Sequence, residues 1–297
     1  MLAPICLFVF NRAEHARQTV ESLLRNKCAS KHDLIVFSDA PRSPEDKASV
    51  QLVRSYLKTI KGFRTITIHY RDYNFGLAKS IIDGVTDTLK KYDSIIVLED
   101  DIVTSPFFLD YMNEALVYFE NDERIISIHG YVYPTKEKLT QPFFLKGADC
   151  WGWATWKRGW QLFDSDGKAL LKELKSKNLI KEFDFNNSHA FSKMLIDQIK
   201  GKNDSWAVRW YASAFLAGKL TLYPGTSLVN NIGSDGSGRH CSISNKFNTD
   251  LSINRINFDT IKVMHSQEAF HAFEKFFIST KTSLLIKVWR RIKKRFI

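Results

Sequence analysis

Cysteine is scarce: four in 297 residues, at Cys6, Cys28, Cys150 and Cys241, with no paired spacing. That excludes a disulfide framework and the close pairs of a structural zinc site, and free thiols in a reducing compartment are the expectation. Long apolar runs are missing too; none approaches the ~20 residues of a spanning helix. The first apolar stretch, Pro4 to Phe10, is short and runs into Asn11-Arg12 without a small-residue cleavage site. This argues against a secretory signal and for a cytoplasmic location. Neither Gly-x-Gly-x-x-Gly nor a Walker lysine motif occurs, which argues against dinucleotide and P-loop chemistry. No low-complexity linker or repeat divides the chain.

Acidic residues are absent from 281–297, which hold Lys281, Lys287, Arg290, Arg291, Lys293, Lys294 and Arg295. The formal charge of +11 is therefore localised: without those seven cations, the other 280 residues carry +4. Leu284, Val288, Ile292 and Phe296 recur every fourth position in the same stretch. The pattern is that of a basic amphipathic helix lying on an anionic membrane surface. Nucleic acid is not expected as a partner, since no nucleic-acid fold motif accompanies the tail.

The body shows a regular rhythm. Strand-like runs at Pro4–Phe10, Asp33–Ser38, Thr65–Tyr70 and Ser94–Leu98 recur roughly every thirty residues, the spacing of βαβ units. Helical patterns fill the intervals at Glu14–Arg25, Pro44–Ile60 and Leu77–Lys91. A fourth helix is expected from Ser105, with Pro106 at its first position, and a further strand at Ile125–His129. The expectation is an α/β fold with a mostly parallel sheet covered by helices on both faces.

Glu99-Asp100-Asp101 closes the fourth strand. Three carboxylates cannot stay inside a strand buried on both faces. They belong in the crevice at the carboxyl ends of the strands, where open α/β sheets bind ligands. Packed like charges there invite a hard divalent cation, Mg²⁺ or Mn²⁺. Arg12 follows strand one and Asp39 follows strand two, both at the same edge. Arg12 suits a base or phosphate, and Asp39 suits a ribose hydroxyl or a base N–H. Lys79, after Asn74-Phe75-Gly76, is placed to meet a diphosphate.

The second half offers three more candidates. Asp149-Cys150-Trp151-Gly152-Trp153 opens a segment with four tryptophans in ten positions, suited either to a core or to a flat sugar platform. Asp204, beside Trp206, is a candidate general base or, alternatively, a helix cap. The glycine-rich stretch Asn230–His240 reads as a lid bringing His240 to a metal or phosphate.

Together these residues resemble the GT-A class of nucleotide-sugar glycosyltransferases, particularly the N-acetylglucosaminyltransferase I type. Glu99-Asp100-Asp101-Ile102-Val103-Thr104-Ser105-Pro106-Phe107-Phe108 carries the likeness: an acidic triplet followed by a Pro-x-Phe helix start. The resemblance implies Asp101 as metal ligand, with Mn²⁺ or Mg²⁺ as cofactor, Asp100 on the ribose or sugar, and Glu99 near the donor sugar. It implies a UDP-sugar donor, Trp151 and Trp153 as an acceptor or sugar wall, and Asp204 as the base of an inverting transfer. Two departures accompany it: one extra residue separates Asp204 from Arg209, and the glycine-rich loop differs in length. One domain is expected over residues 1–270, with a nucleotide-sugar half at 1–101 and an acceptor half at 102–270. Residues 271–297 form the tail. A cytoplasmic enzyme held at the inner face of the cell membrane points to a glycan or lipid-linked oligosaccharide acceptor, as in bacterial surface-polysaccharide synthesis. The alternatives are a sugar nucleotidyltransferase and a catalytically silent glycan-binding module. Phe10-Asn11-Arg12-Ala13-Glu14 lacks the glycine-rich phosphate loop of the former.

Overall fold

The structure is a computed structural model that describes residues 2–236 and 244–281. His240, Cys241 and residues 282–297 lie outside the described residues, and with them the lid's histidine and nearly all of the basic tail. The described strands are β1 (Ile5–Val9), β2 (Asp33–Ser38), β3 (Thr65–Tyr70), β4 (Ser94–Glu99), β5 (Ile102–Thr104), β6 (Ile125–His129), β7 (Phe143–Lys146), β8 (Trp153–Trp156), β9 (Leu220–Tyr223) and β10 (Val229–Asn231). The helices are α1 (Ala13–Leu24), α2 (Lys47–Leu57), α3 (Leu77–Leu89), α4 (Phe108–Tyr118), α5 (Lys157–Trp160), α6 (Gly167–Ser176), α7 (Ile180–Phe183), α8 (Phe191–Ile199), α9 (Trp206–Leu216) and α10 (Gln267–Thr280).

Eight strands form one sheet in the order β3-β2-β1-β4-β8-β6-β9-β7. β1 to β4 are parallel, β8 runs antiparallel between β4 and β6, β6 pairs parallel with β9, and β7 closes the edge antiparallel. The sheet is thus mostly parallel and flanked by helices, the expected class. Alternation along β1 explains its full burial. Ile5, Leu7 and Val9 join one core cluster and Cys6 and Phe8 another, because successive side chains leave opposite faces. Edge strand β3 keeps only Ile66 and Ile68 against the core. A third cluster joins β7 to the helices of the second half through Phe143, Phe183, Phe215 and Phe273.

Three expectations are corrected. Ile102–Thr104 is a strand paired antiparallel with Val229–Asn231, and the following helix begins at Phe108, not Ser105. The Ser105 hydroxyl donates to the Ser252 carbonyl at 2.6 Å and accepts from the Phe107 N–H at 3.2 Å, holding a turn ahead of the helix. Asn230 and Asn231 accordingly belong to a strand, not to a free loop. The boundary at 270 falls inside α10, whose Phe273, Phe276 and Phe277 are buried in the third cluster. Residues 271–280 are therefore packed structure, not tail. No described helix is long and apolar enough to cross a membrane.

Candidate functional site

The chain leaves β1 toward β2 on one side, while β4 lies on the other. In open α/β sheets such a reversal is where ligands bind, here at the carboxyl ends of β1 and β4. Phe8 pairs with Glu99, so Arg12 and the triplet emerge side by side. The Arg12 guanidinium bonds the Asp100 carboxylate and reaches Asp101 Oδ2 at 2.8 Å. Asp100, 4% exposed, also takes the Phe10 N–H at 3.4 Å, and its carbonyl accepts from the Thr19 hydroxyl at 2.8 Å. Its backbone is thereby tied to both β1 and α1.

Burial raises Glu99 above the ordinary carboxylate range, with the Asp101 and Asp100 charges adding to it. Burial also raises Asp100, against the opposing pull of Arg12. Such a cluster lacks positive charge, and Arg12 supplies part of it internally. Among the described residues no group of three or more His, Cys, Asp or Glu side chains is placed to hold a metal. The donor set still fits Mg²⁺ or Mn²⁺, which are commonly held by one or two carboxylates plus substrate phosphates. Asp101, hard in its oxygens and 13% exposed at the side chain, is a carboxylate that would hold such an ion.

The β10 end closes over this point. Ile232 N–H donates to the Asp101 carbonyl at 2.9 Å, and Gly233 N–H to Asn231 Oδ1 at 2.8 Å. Gly233 has no room for a side chain: a Cβ would collide with the Asp101 carboxylate and come within 3.0 Å of Arg12 Nη1. Gly233→Ala is expected to displace Asp101 and weaken metal-supported nucleotide binding about tenfold while leaving the fold intact. Titration of the variant with UDP and Mn²⁺ checks this; wild-type affinity would show that the contact is slack.

Asp39, 5% exposed, sits across β1 from the triplet with both oxygens engaged. Oδ1 accepts from the Ala40 and Phe75 N–H groups at 2.9 and 2.8 Å; Oδ2 accepts from Gly76 N–H at 3.0 Å and the Asn74 amide at 3.1 Å. Its role in this structure is to hold the Asn74–Gly76 turn, which leads into α3 at positive φ (72°), a conformation suited to glycine. Lys79 lies on the exposed face of α3, paired with Asp83 at 2.5 Å and 4.9 Å from the Phe75 ring centre. Arg71, which the sequence did not single out, stands 4.4 Å from the same ring, with Nε and Nη2 buried and without a hydrogen-bond partner among the described residues.

Asp204 comes to this turn from far along the chain: a Cβ at Gly76 would lie 3.6 Å from its Oδ2. It is exposed, and its carboxylate makes no hydrogen bond or ion pair among the described residues. The alternative reading of Asp204 as a cap is set aside, because Ser205 caps α9 by accepting from the Val208 N–H at 3.2 Å.

The two tryptophans separate. Trp153 is 0% exposed in β8, its ring stacked on Trp206 and packed near Trp160 and Trp210. It therefore cannot form a sugar wall, and that expectation is corrected: from the core it anchors Trp206, two residues from Asp204. Trp151 precedes the strand and stays partly exposed. Its ring meets Tyr131 and Phe247, and it lines a cavity of about 260 Å³ together with Asp149, Cys150, Tyr133, Tyr223 and His189.

The charge state of the triplet has a testable consequence. Glu99 is raised to about 8 and Asp100 to about 6. An acid whose folded pKa is raised favours the protonated fold, so its contribution is complete at low pH and lost as pH climbs through the folded value. Without metal, thermal stability is expected to decline between pH 5 and about 8, and Mn²⁺ should offset the decline at the upper end. Melting curves of the wild type and Glu99→Gln, with and without Mn²⁺, check this. Identical profiles for the two proteins would remove Glu99 as the source.

No curated protein matches the chain. Among solved structures it is similar to S. aureus TarS 1-349, at 9% identity and TM-score 0.34 over 58% of this chain and 49% of that one. A longer S. aureus TarS structure gives 12% identity and TM-score 0.32 over 47% of this chain and 24% of that one. UDP-glucose pyrophosphorylase complexed with UDP-glucose gives 11% identity and TM-score 0.31, over 58% and 80%. The chain thus spans about half of the shorter TarS structure and a quarter of the longer. The GNT-I family model matches residues 1–157, which hold β1 to β4, the acidic triplet and the Trp151–Trp156 segment. By that match over more than half its length, the chain belongs to the GNT-I family.

Proposed function

We propose that this chain is a nucleotide-sugar glycosyltransferase moving a sugar from a UDP donor to a hydroxyl of a glycan or lipid-linked oligosaccharide acceptor, with inversion. The observation that carries the reading is the convergence of Arg12, Asp100 and Asp101 at the carboxyl ends of β1 and β4, inside the part shared with the GNT-I family. A divalent cation held by Asp101 would bind the donor phosphates and offset the charge of the departing diphosphate. Arg12, now shared by two carboxylates, lies within reach of the same phosphates. Glu99 and Asp100 face the donor sugar and ribose. Asp204 takes the proton of the acceptor hydroxyl as that oxygen attacks the anomeric carbon, and the bond to the diphosphate breaks on the opposite face. The uncommitted carboxylate of Asp204 suits that task better than Asp39, whose oxygens are already occupied.

Residues 281–297 would hold the enzyme against the anionic inner face of the cell membrane, where a lipid-linked acceptor for surface polysaccharide is presented. Isothermal titration with UDP and then GDP, each with and without Mn²⁺, tests the donor reading. Metal-dependent UDP binding is expected; binding of neither nucleotide would favour the silent-module alternative.

A further inference from the structure

We propose that the cavity bounded by Tyr133, Trp151, Tyr223, Phe247 and Phe277 receives one terminal sugar ring of the acceptor, with Asp149 and the Tyr223 hydroxyl as its polar contacts. The proposal rests on the reading of the chain as a transferase, and it assigns the acceptor to a place. Most of this wall lies beyond residue 157, outside the region matched by the family model.

Position comes first. Val97 pairs antiparallel with Trp153, so Cys150 and Trp151, which precede that strand, run beside the end of β4 that carries the triplet. Met194, in the wall, accepts at its carbonyl from the Asn203 amide at 3.1 Å, and its sulfur receives the Ser205 hydroxyl at 3.9 Å. Those two residues flank Asp204. The cavity therefore lies between the triplet and the segment that carries the candidate base.

Size and chemistry narrow the occupant. About 260 Å³ falls below the roughly 300–1,000 Å³ of pockets for drug-sized ligands, and suits one ring better than two. The lining is largely aromatic, yet it holds polar atoms without a hydrogen-bond partner among the described residues. Tyr223 is 6% exposed, and neither its hydroxyl nor that of Tyr133 has a hydrogen-bond partner among the described residues. Asp149 Oδ1 accepts from the Cys150 N–H at 2.8 Å and lies 3.9 Å from His129 Nε2, and the Cys150 thiol bonds the same carboxylate. His189 also lines the cavity and is lowered to about 4, chiefly by burial, then by Lys246 and Lys281, so it is neutral at pH 7. Lys146, the cation in the wall, is committed to Glu182 at 2.7 Å. A sugar ring offers an apolar C–H face to the aromatics and hydroxyls to Asp149, Tyr133, Tyr223 and His189. A prenyl or acyl chain would leave the Tyr133 and Tyr223 hydroxyls unpaired in an apolar space.

Saturation-transfer NMR with the methyl glycosides of glucose, galactose and N-acetylglucosamine tests the assignment, with geranyl phosphate as the apolar probe. Ring protons of at least one glycoside are expected to receive saturation from the wild type, with affinity reduced at least fivefold in both Asp149→Asn and Tyr223→Phe. Absence of saturation in every glycoside, whether or not geranyl phosphate receives it, would overturn the proposal. Wild-type glycoside affinity in both variants would do the same. UDP titration of the wild type with Mn²⁺ is read separately: its failure removes the donor reading, whereas failure with the glycosides removes only this site.

Discussion

Asp204→Asn is expected to lower turnover by a factor of ~10²–10⁴, the usual range for loss of a positioned general base, with donor affinity nearly unchanged. The carboxylate is exposed and makes no hydrogen bond or ion pair among the described residues, so the substitution removes basicity without breaking a structural contact. α9 keeps its start, because Ser205 supplies the cap and Trp206 remains stacked on Trp153. An unchanged melting temperature alongside the lost turnover would separate chemistry from folding. Full turnover in the variant would move the base elsewhere, and Asp149 is the next carboxylate to test. The measurement is steady-state transfer from a UDP-sugar, with donor hydrolysis followed in parallel.

Asp101→Asn is expected to abolish the metal-dependent part of UDP binding and to reduce transfer ~10²–10³-fold, a typical loss on removing one electrostatic contact to a developing charge. Asparagine keeps the size of the side chain under Gly233 but removes the negative charge that Arg12 and a cation both require. The loss should not come from unfolding. Removing one of three crowded like charges relieves Glu99, whose raised pKa already registers Asp101 as a neighbour. Equal UDP affinity with and without Mn²⁺ in the variant, against a clear difference in the wild type, is the decisive pair of titrations. Retention of full metal-dependent transfer would exclude Asp101 as the ligand.

Much of this site was legible in the linear sequence because its signals are local. An apolar run bounded by charge marks a buried strand, and three acids at its end can only turn into a crevice. The spacing of the first four strands implies parallel pairing with helical crossovers, and the structure follows it from β1 to β4. Arg12 and the triplet were read as neighbours from their shared position at strand ends. Asp204 stands out by its residue type and its tryptophan, whereas its proximity to Gly76 comes only with folding.

What the chain alone left open is decided by contacts between distant residues. Trp151 and Trp153 read alike, being two aromatics beside one glycine. Insertion of β8 between β4 and β6 buries Trp153 completely and leaves Trp151 at the cavity. No local periodicity announces an antiparallel strand slipped into a parallel sheet. Asp39 likewise shows no partner in the linear chain, and only folding brings the Asn74–Gly76 turn to donate to both of its oxygens. Asp149 was plain in the sequence but had no role there, because its setting comes from side chains spread between Tyr133 and Phe277. Sequence by itself determined the first four strands, their crossovers and the charge at their carboxyl ends, since burial and hydrogen bonding constrain neighbours along the chain. Tertiary structure alone decided which carboxylates are engaged and which tryptophan faces the cavity, since both depend on partners brought together only by folding.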